Sequence, residues 1–497
     1  MPATVRRAPK EGIAIAKRPV LLVNSNRIRP PVASLGLEYL AGALQGEGCP
    51  VELVDLSWSD EAGSALADAL QRMRPRMVAV SFRNSDDCFW PSAHSFVPEL
   101  CRLVGRLRAL TDAPLVLGGA GFSVFPLAIL RATGCEFGIR GEGEHALARL
   151  ARALGGDGAA EDIPGLAWRT GEGAYAANPP RPAHPLSLPT GRDHLDNRRY
   201  FAEGGQAGLE TKRGCGRRCT YCADPLIKGR RVRTRHPAEV ADEVESLLAQ
   251  DVDVLHLCDS EFNVPYRHAM AVCAELARRG LGERVRWYTY AAVTQFDAEL
   301  AAAMREAGCV GVNFGADSAS PQMLSTYGRR HGPEDIASAV QACHEHDLRV
   351  MTDLLLGGPG ETEETLRETI EFMKRVGPDC VGAALGVRLY PGTSLAAQVG
   401  GDPGADCHLR RGEPLDPGGE EDAAAQGLLQ PAFYISAQLG QDPAGLVCDL
   451  VGEDERFFKP MAEQSAENYN YNENEPLTEA IRAGARGAYW DILRGLK

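Results

Sequence analysis

The chain has 497 residues, which at roughly 150 residues per domain suggests about three domains and leaves room for a large core. Its 53 Lys and Arg against 67 Asp and Glu give a formal charge of −14, which argues against nucleic acid as a partner, because phosphate binding needs clustered positive charge. No apolar run is long enough to span a bilayer, and the basic start over 1–17 is not followed by the apolar stretch of a secretory signal, so no membrane partner is expected and a reducing cytoplasm is the expected setting.

After a tail over 1–18, five apolar runs of strand length follow one another: VLLVN at Val20–Asn24, VELVD at Val51–Asp55, MVAVS at Met77–Ser81, LVLG at Leu115–Gly118 and FGIR at 137–140. Helix-length stretches such as 35–44 and 61–73 separate them. Runs buried on both faces and alternating with helices predict a parallel sheet, so 19–156 reads as a doubly wound α/β domain whose ligands bind beyond the carboxyl ends of its strands. Residues 157–205, rich in Gly, Pro, Ala and Asp, read as a connector. The β/α rhythm resumes over 206–400, with strands expected at 209–213, 254–258, 285–290, 310–314, 350–356 and 381–389. Six such units fit a partial barrel with its site at the carboxyl strand ends. The C-terminal region, 401–497, opens with the composition of a loop over 401–422 and closes on an amphipathic helix expected over 477–493.

Most of the 14 cysteines stand singly in apolar runs, where a small buried hydrophobe is the plain explanation. Cys215, Cys219 and Cys222 do not. They form a CxxxCxxC set directly after the first strand of the second domain, on a loop that carries Gly214 and Gly216. Without an export signal such a set points to metal. Three thiolates on one loop suit an iron–sulfur cluster that keeps one iron open to an exchangeable ligand. A structural zinc site is the competing reading, but the nearest histidine, His236, fits common zinc spacings poorly.

With Tyr221 as the aromatic residue before the last cysteine, the triplet resembles the signature of the radical S-adenosylmethionine (SAM) enzymes. The resemblance implies a [4Fe–4S] cluster on Cys215, Cys219 and Cys222, with SAM chelating the open iron. Other stretches fall in register with that family. Asp259-Ser260-Glu261, after the second strand, resembles loosely its GGE-type loop for the methionyl amine, although both glycines are missing. Gly315-Ala316-Asp317-Ser318 resembles its G-x-E-S contact, and the run from Gly357 and Gly358 to Thr362 resembles its G-x-P-G-E-T turn. Read alone each is a turn or a helix cap; Glu361, for one, is well placed to favour a helix N-terminus.

A doubly wound domain ahead of such a barrel resembles the cobalamin-dependent branch of the family. The stretch from Pro30 to Ala41 resembles the P-x-x-x-GL-x-YLA opening of the first helix, and Gly141-Glu142-Gly143-Glu144 matches the GEGE turn. Gly118 and Gly119 stand where a glycine turn lets backbone approach a bulky nucleotide tail. A nucleotide- or flavin-binding domain of the same topology is the alternative, but the GxGxxG fingerprint is absent after the first strand. The D-x-H-x-x-G motif of axial-histidine cobalamin domains is absent too. In its place stands Ser81-Phe82-Arg83-Asn84-Ser85-Asp86, which resembles the S-x-RN-x-D stretch of tryptophan C-methyltransferases within the family. The resemblance implies that Ser81 and Asn84 help hold cobalamin and that Arg83 lies beneath the corrin, giving cobalt no lower ligand, since a guanidinium has no lone pair to donate. A surface Arg83 paired with Asp86 or Asp87 is the bland alternative.

The resemblance therefore implies a C-methyltransferase that moves a methyl group from SAM, via methylcobalamin, to a carbon of a small metabolite. Tryptophan is the first substrate to consider, and a donor such as flavodoxin or ferredoxin is the expected source of electrons. Cyclisation or rearrangement without methyl transfer is the enzyme alternative, and a corrinoid-binding sensor the non-enzyme one. In the family the C-terminal region often closes over substrate, so Tyr434, Tyr469, Tyr471 and Trp490 are candidates for an aromatic wall.

Overall fold

The computed structural model describes residues 18–58, 62–171, 173–399, 407–411, 429–461, 463 and 465–497. The first sheet contains β1 (Val20–Asn24), β2 (Val51–Asp55), β3 (Met77–Ser81), β4 (Leu115–Gly118), β5 (Phe137–Ile139), β6 (Leu166–Arg169) and β7 (Tyr175–Ala177), in the order β2-β1-β3-β4-β5-β6-β7. The first five are parallel to their neighbours, and β6 and β7 join antiparallel. Alternation along β1 explains why the sheet is covered on both faces. Leu21 and Val23 pack with Leu66 and Val104 on one side, Val20 and Leu22 with Leu37 and Leu147 on the other.

The second sheet contains β8 (Ala207–Leu209), β11 (Val254–Leu257), β12 (Arg286–Ala291), β13 (Cys309–Asp317), β14 (Arg349–Leu356), β15 (Cys380–Leu385) and β19 (Phe457–Phe458). These run parallel in the order β19-β15-β14-β13-β12-β11-β8. Between them in the chain lie a hairpin, β9 (Lys212–Arg213) with β10 (Arg233–Thr234), and a small antiparallel sheet of β16 (Val387–Arg388), β18 (Ala432–Ser436) and β17 (Cys407–Arg411). Trp287, Val312, Phe314 and Val350 face the surrounding helices. Tyr288 and Met351 face the opposite way, where Trp490 packs on Tyr288 at 5.9 Å between ring centroids and plugs that end of the sheet's inner face.

Five expectations change, one being the strand expected at 381–389, which divides at Gly386 (φ 87°) into β15 and β16. The 157–205 stretch carries β6, β7 and the helix Asn197–Gly204, so it extends the first sheet as well as connecting. The strand expected at 209–213 divides into β8 and β9, because Asp259 Oδ1 accepts from Thr211 N (2.9 Å) and Lys212 N (3.2 Å) and turns the chain out of the sheet. The helix expected over 477–493 is two helices, Glu475–Arg482 and Tyr489–Arg494, separated by Gly484 and Gly487 at φ 107° and 154°. Of the 401–422 loop, only β17 lies within the described residues.

Two buried ion networks lock the halves together. Glu38, on the helix Leu35–Gly46, pairs with Arg192 at 2.6 Å, and Arg192 pairs with Glu243 at 2.9 Å, all three side chains being fully buried. Asp86 pairs with Arg388 of β16 at 2.9 Å. Among the described residues no helix is long and apolar enough to cross a membrane.

Candidate active site

A cavity of about 320 Å³ lies where the carboxyl ends of β3, β4 and β5 face those of β8 and β11. Ser81, Arg83, Gly118, Gly119, Gly141 and Glu142 line it from the first half, and Gly208, Glu210, Lys228 and Cys258 from the second. Its inner part, beside Val80, Val116, Leu117 and Leu147, is an apolar slot. Gly119 has φ 101°, and a Cβ there would stand 2.5 Å from Phe82 O, so only glycine allows this approach. Glu142 is also bound to Arg233, with Arg233 Nη1 donating to Oε2 at 2.9 Å. Asn84 does not line the cavity; its backbone instead packs against Gly121.

Arg83 is exposed into this space and, among the described residues, forms no ion pair. The surface pairing with Asp86 or Asp87 is not formed. Asp86 is held by Arg388 and Ser85, and Asp87 accepts from Ser92 and the backbone of Phe89 and His94. Burial would raise Asp86, but Arg388 holds it below the usual aspartate range. Among the described residues no histidine lines the cavity.

Cys215, Cys219 and Cys222 line a second cavity of about 170 Å³, with Tyr221, Ser260, Glu261, Tyr290, Gly315 and Arg329. Burial raises Cys215 and pushes Cys222 up to about 12. Among the described residues no three His, Cys, Asp or Glu side chains converge on a single-ion site. Three thiols spread around one cavity fit a multi-iron cluster, whose thiolates bind different irons. Arg329 Nη1 donates to Cys219 Sγ at 3.2 Å.

The residues expected to hold SAM divide into two groups. Ser260 and Glu261 line the cysteine cavity, with Glu261 paired to Arg217 at 2.9 Å. Asp317, in the left-handed region at φ 61°, accepts from Tyr221 Oη at 2.7 Å and pairs with Arg329 at 3.2 Å behind the cavity. Asp259, Ser318 and Gly358 do not line the cavity. Asp259 is consumed by Thr211 and by Lys212 Nζ at 2.9 Å. Ser318 Oγ bonds Thr369 Oγ1 at 2.8 Å, and a Cβ on Gly358 would collide with Tyr327. Glu361 turns back onto the Gly357 and Gly358 N–H groups, and its burial pushes it up to about 7.

The four aromatic candidates also part company. Tyr469 and Tyr471 stand beside the inner face of the second sheet, 6.1 Å apart, and Tyr489 joins them at 6.0 Å from Tyr471. Trp490 plugs the far end, and Tyr434 packs with Met323 and Tyr327 in a separate cluster. Sequence reasoning missed Arg329, Tyr290, Asn313 and Asp353. Only the inward alternation along β12, β13 and β14 could have pointed to the last three.

Residues 22–151 match the B12 binding domain and residues 209–373 the radical SAM superfamily. Fold and site thus define a two-domain protein of the cobalamin-dependent radical SAM class. The tryptophan 2-C-methyltransferase of Streptomyces laurentii is 30% identical, with 96% of each chain covered. The radical SAM methyltransferase TsrM of Kitasatospora setae, solved with tryptophan and a SAM analogue, matches with a TM-score of 0.90 at 32% identity over 96% of this chain and 98% of that one. Its structure with cobalamin and a [4Fe–4S] cluster matches with a TM-score of 0.86 at 31% identity over the same shares, 96% and 98%. The chain belongs to the cobalamin-dependent radical SAM methyltransferases, enzymes that work with a [4Fe–4S] cluster, SAM and cobalamin.

Proposed function

We propose that this enzyme methylates an indole carbon of tryptophan, with SAM as the methyl source and cobalamin as the carrier. Cobalamin supplies a cobalt able to accept and release a methyl group, and the cluster supplies an open iron that holds SAM. The chain's own residues divide the work. Cys215, Cys219 and Cys222 hold the cluster, and Ser260, Glu261 and Tyr221 border the place for SAM. Asp259, Asp317, Ser318 and Gly358 fix the loops behind it. Ser81, Gly118, Gly119, Gly141 and Glu142 shape the cobalamin cavity, with Asn84 supporting from below through Gly121.

The observation that carries this reading is Arg83. It enters the cavity between the two sheets, and among the described residues it has no carboxylate partner and no histidine lines that cavity. A guanidinium has no lone pair to donate, so Arg83 would hold this side of the cavity without supplying a ligand to cobalt. Its positive charge also acts on Cys258, Tyr290 and Tyr489, opposing the rise that burial gives each of them. An electron carrier such as flavodoxin or ferredoxin completes the proposal, because cobalt must be reduced before it can accept a methyl group.

The test is anaerobic incubation of cluster-loaded protein with cobalamin, a reductant, tryptophan and SAM carrying a deuterated methyl group. Mass spectrometry should find the whole labelled methyl on the indole ring. Label on a sugar or an aliphatic carbon would discard tryptophan, and a rearranged product without label would favour the cyclisation reading.

A further inference from the structure

We propose that Asp353 and Asn313 form a receptor for a protonated amine, so that this site selects its acceptor by an ammonium group as well as by an aromatic ring. The proposal rests on the tryptophan methyltransferase reading and adds to it the residues that choose the substrate.

Asn313 on β13 and Asp353 on β14 both project from the inner face of the second sheet, where Asn313 Nδ2 donates to Asp353 Oδ2 at 2.8 Å. Asn313 is 5% exposed, yet among the described residues its Oδ1 has no hydrogen-bond partner. Asp353 Oδ1 accepts only from Tyr469 Oη, at 3.2 Å. A carboxylate offers about four lone-pair sites, so this pair holds a surplus of acceptors and lacks donors. Among the described residues no Lys, Arg or His pairs with Asp353, whereas Asp259 has Lys212, Asp317 has Arg329 and Asp86 has Arg388. Asp353 is half-buried, so leaving its carboxylate without a cation carries a desolvation cost, and the buried Asn313 Oδ1 without a donor adds to it. An ammonium supplies what both lack, three N–H donors and a positive charge.

The surroundings suit the rest of such a substrate. Tyr469, Tyr471 and Tyr489 form a chain of rings beside the pair, and ring faces attract cations as well as aryl groups. Gly382 on β15 keeps the space open, since a Cβ there would collide with Tyr469 and stand 2.5 Å from Asp353 Oδ1. Two residues beyond Asn313, Gly315 lines the cysteine cavity, as does Tyr290. An amine held by Asp353 is therefore anchored beside the cavity where SAM binds.

Equilibrium dialysis on protein loaded with cluster and cobalamin tests this, with tryptophan, tryptamine (no carboxylate) and indole-3-propionate (no amine) as probes. The wild type should bind tryptophan and tryptamine about tenfold or more tightly than indole-3-propionate, the ratio expected for a charge-assisted hydrogen bond. Asp353→Asn should lose that preference while its weak binding of indole-3-propionate stays unchanged, and Asn313→Ala should lose part of it. In turnover both should raise KM for tryptophan more than they lower kcat. Circular dichroism and cofactor content report whether each variant is folded. Equal binding of all three probes by the wild type, or an unaltered preference in folded Asp353→Asn, overturns the receptor even if tryptophan is methylated. Asp353-dependent binding of both amines with no methyl gained by tryptophan overturns the substrate reading and leaves the receptor standing.

Discussion

At the scale of single residues, charge without a partner marks the two chemical poles of the site. Arg83 faces the cobalamin cavity with no counter-ion, so cobalamin should bind with no protein nitrogen on cobalt. Electron paramagnetic resonance of the reduced cobalt(II) form should lack nitrogen superhyperfine splitting. Arg83→Lys should retain cobalamin but slow methyl transfer by about tenfold or more, because lysine keeps the charge and loses the planar fork. Asp353 is the opposite pole. Burial raises it to about 6, hydrogen bonds from Asn313 and Tyr469 oppose the rise, and repulsion from Asp317 adds to it. Tyr290, Tyr469 and Tyr471 feel the same carboxylate and are themselves raised, so they stay neutral while Asp353 titrates. A carboxyl whose folded pKa stands above its unfolded value of about 4 costs stability as pH rises from about 4 to about 6, and the full cost is present above that window. Asp353→Asn should therefore raise the melting temperature of substrate-free protein at about pH 8, with a smaller gain at about pH 5. An equal gain at both would show that the charge is not the cause.

At the scale of elements, the loop after β9 is built to hold three thiols around one cavity. Changing Cys215, Cys219 or Cys222 to Ala should abolish the cluster's absorption after anaerobic reconstitution, whereas Cys258→Ala should preserve it, because Cys258 lines the cobalamin cavity and not the cysteine cavity. A Cys258 variant that loses iron would contradict this division. Gly382→Ala forces β15 against Tyr469 and should cost about 1–3 kcal/mol, the usual range for overpacking, which urea denaturation would measure. These elements were legible to different degrees. The strands and the cysteine loop were readable because apolar runs and close spacing are local signals. Asp259 shows where that ends: its position after a strand was correct, but spatial proximity to Lys212 and Thr211 decided where its side chain went. Arg329 had no local signal at all, since its contact with Cys219 spans 110 residues. Asn313 and Asp353 lie within largely apolar strands, and only the pairing of the neighbouring strands reveals that they meet.

At the scale of the whole molecule, methyl transfer needs the two halves held together, and the Glu38–Arg192–Glu243 network is one of the two buried ion networks that join them. Glu38 comes from the first half, Arg192 from the stretch between them, and Glu243 from the helix Pro237–Leu248 of the second. Tyr39, next to Glu38, donates to Glu243 Oε1 at 2.9 Å, and Asn197 Nδ2 donates to Glu38 Oε1 at 3.0 Å. Full burial makes the network expensive to form and more expensive to break, since removing one member strands the others in a low dielectric. Arg235 still neutralises Glu243 when Arg192 is lost, but Glu38 has no second cation. Arg192→Met should therefore destabilise the protein by about 3–5 kcal/mol, the range for breaking a buried ion pair, and the loss should appear as looser docking of the halves. Hydrogen exchange should rise first along the helix Leu35–Gly46 and at Asn197–Gly204, while the strands of the second sheet keep their protection. Glu38→Gln combined with Arg192→Met removes the stranded charge and should recover part of the stability. If the double variant is no more stable than Arg192→Met alone, the stranded carboxylate is not what the single substitution costs.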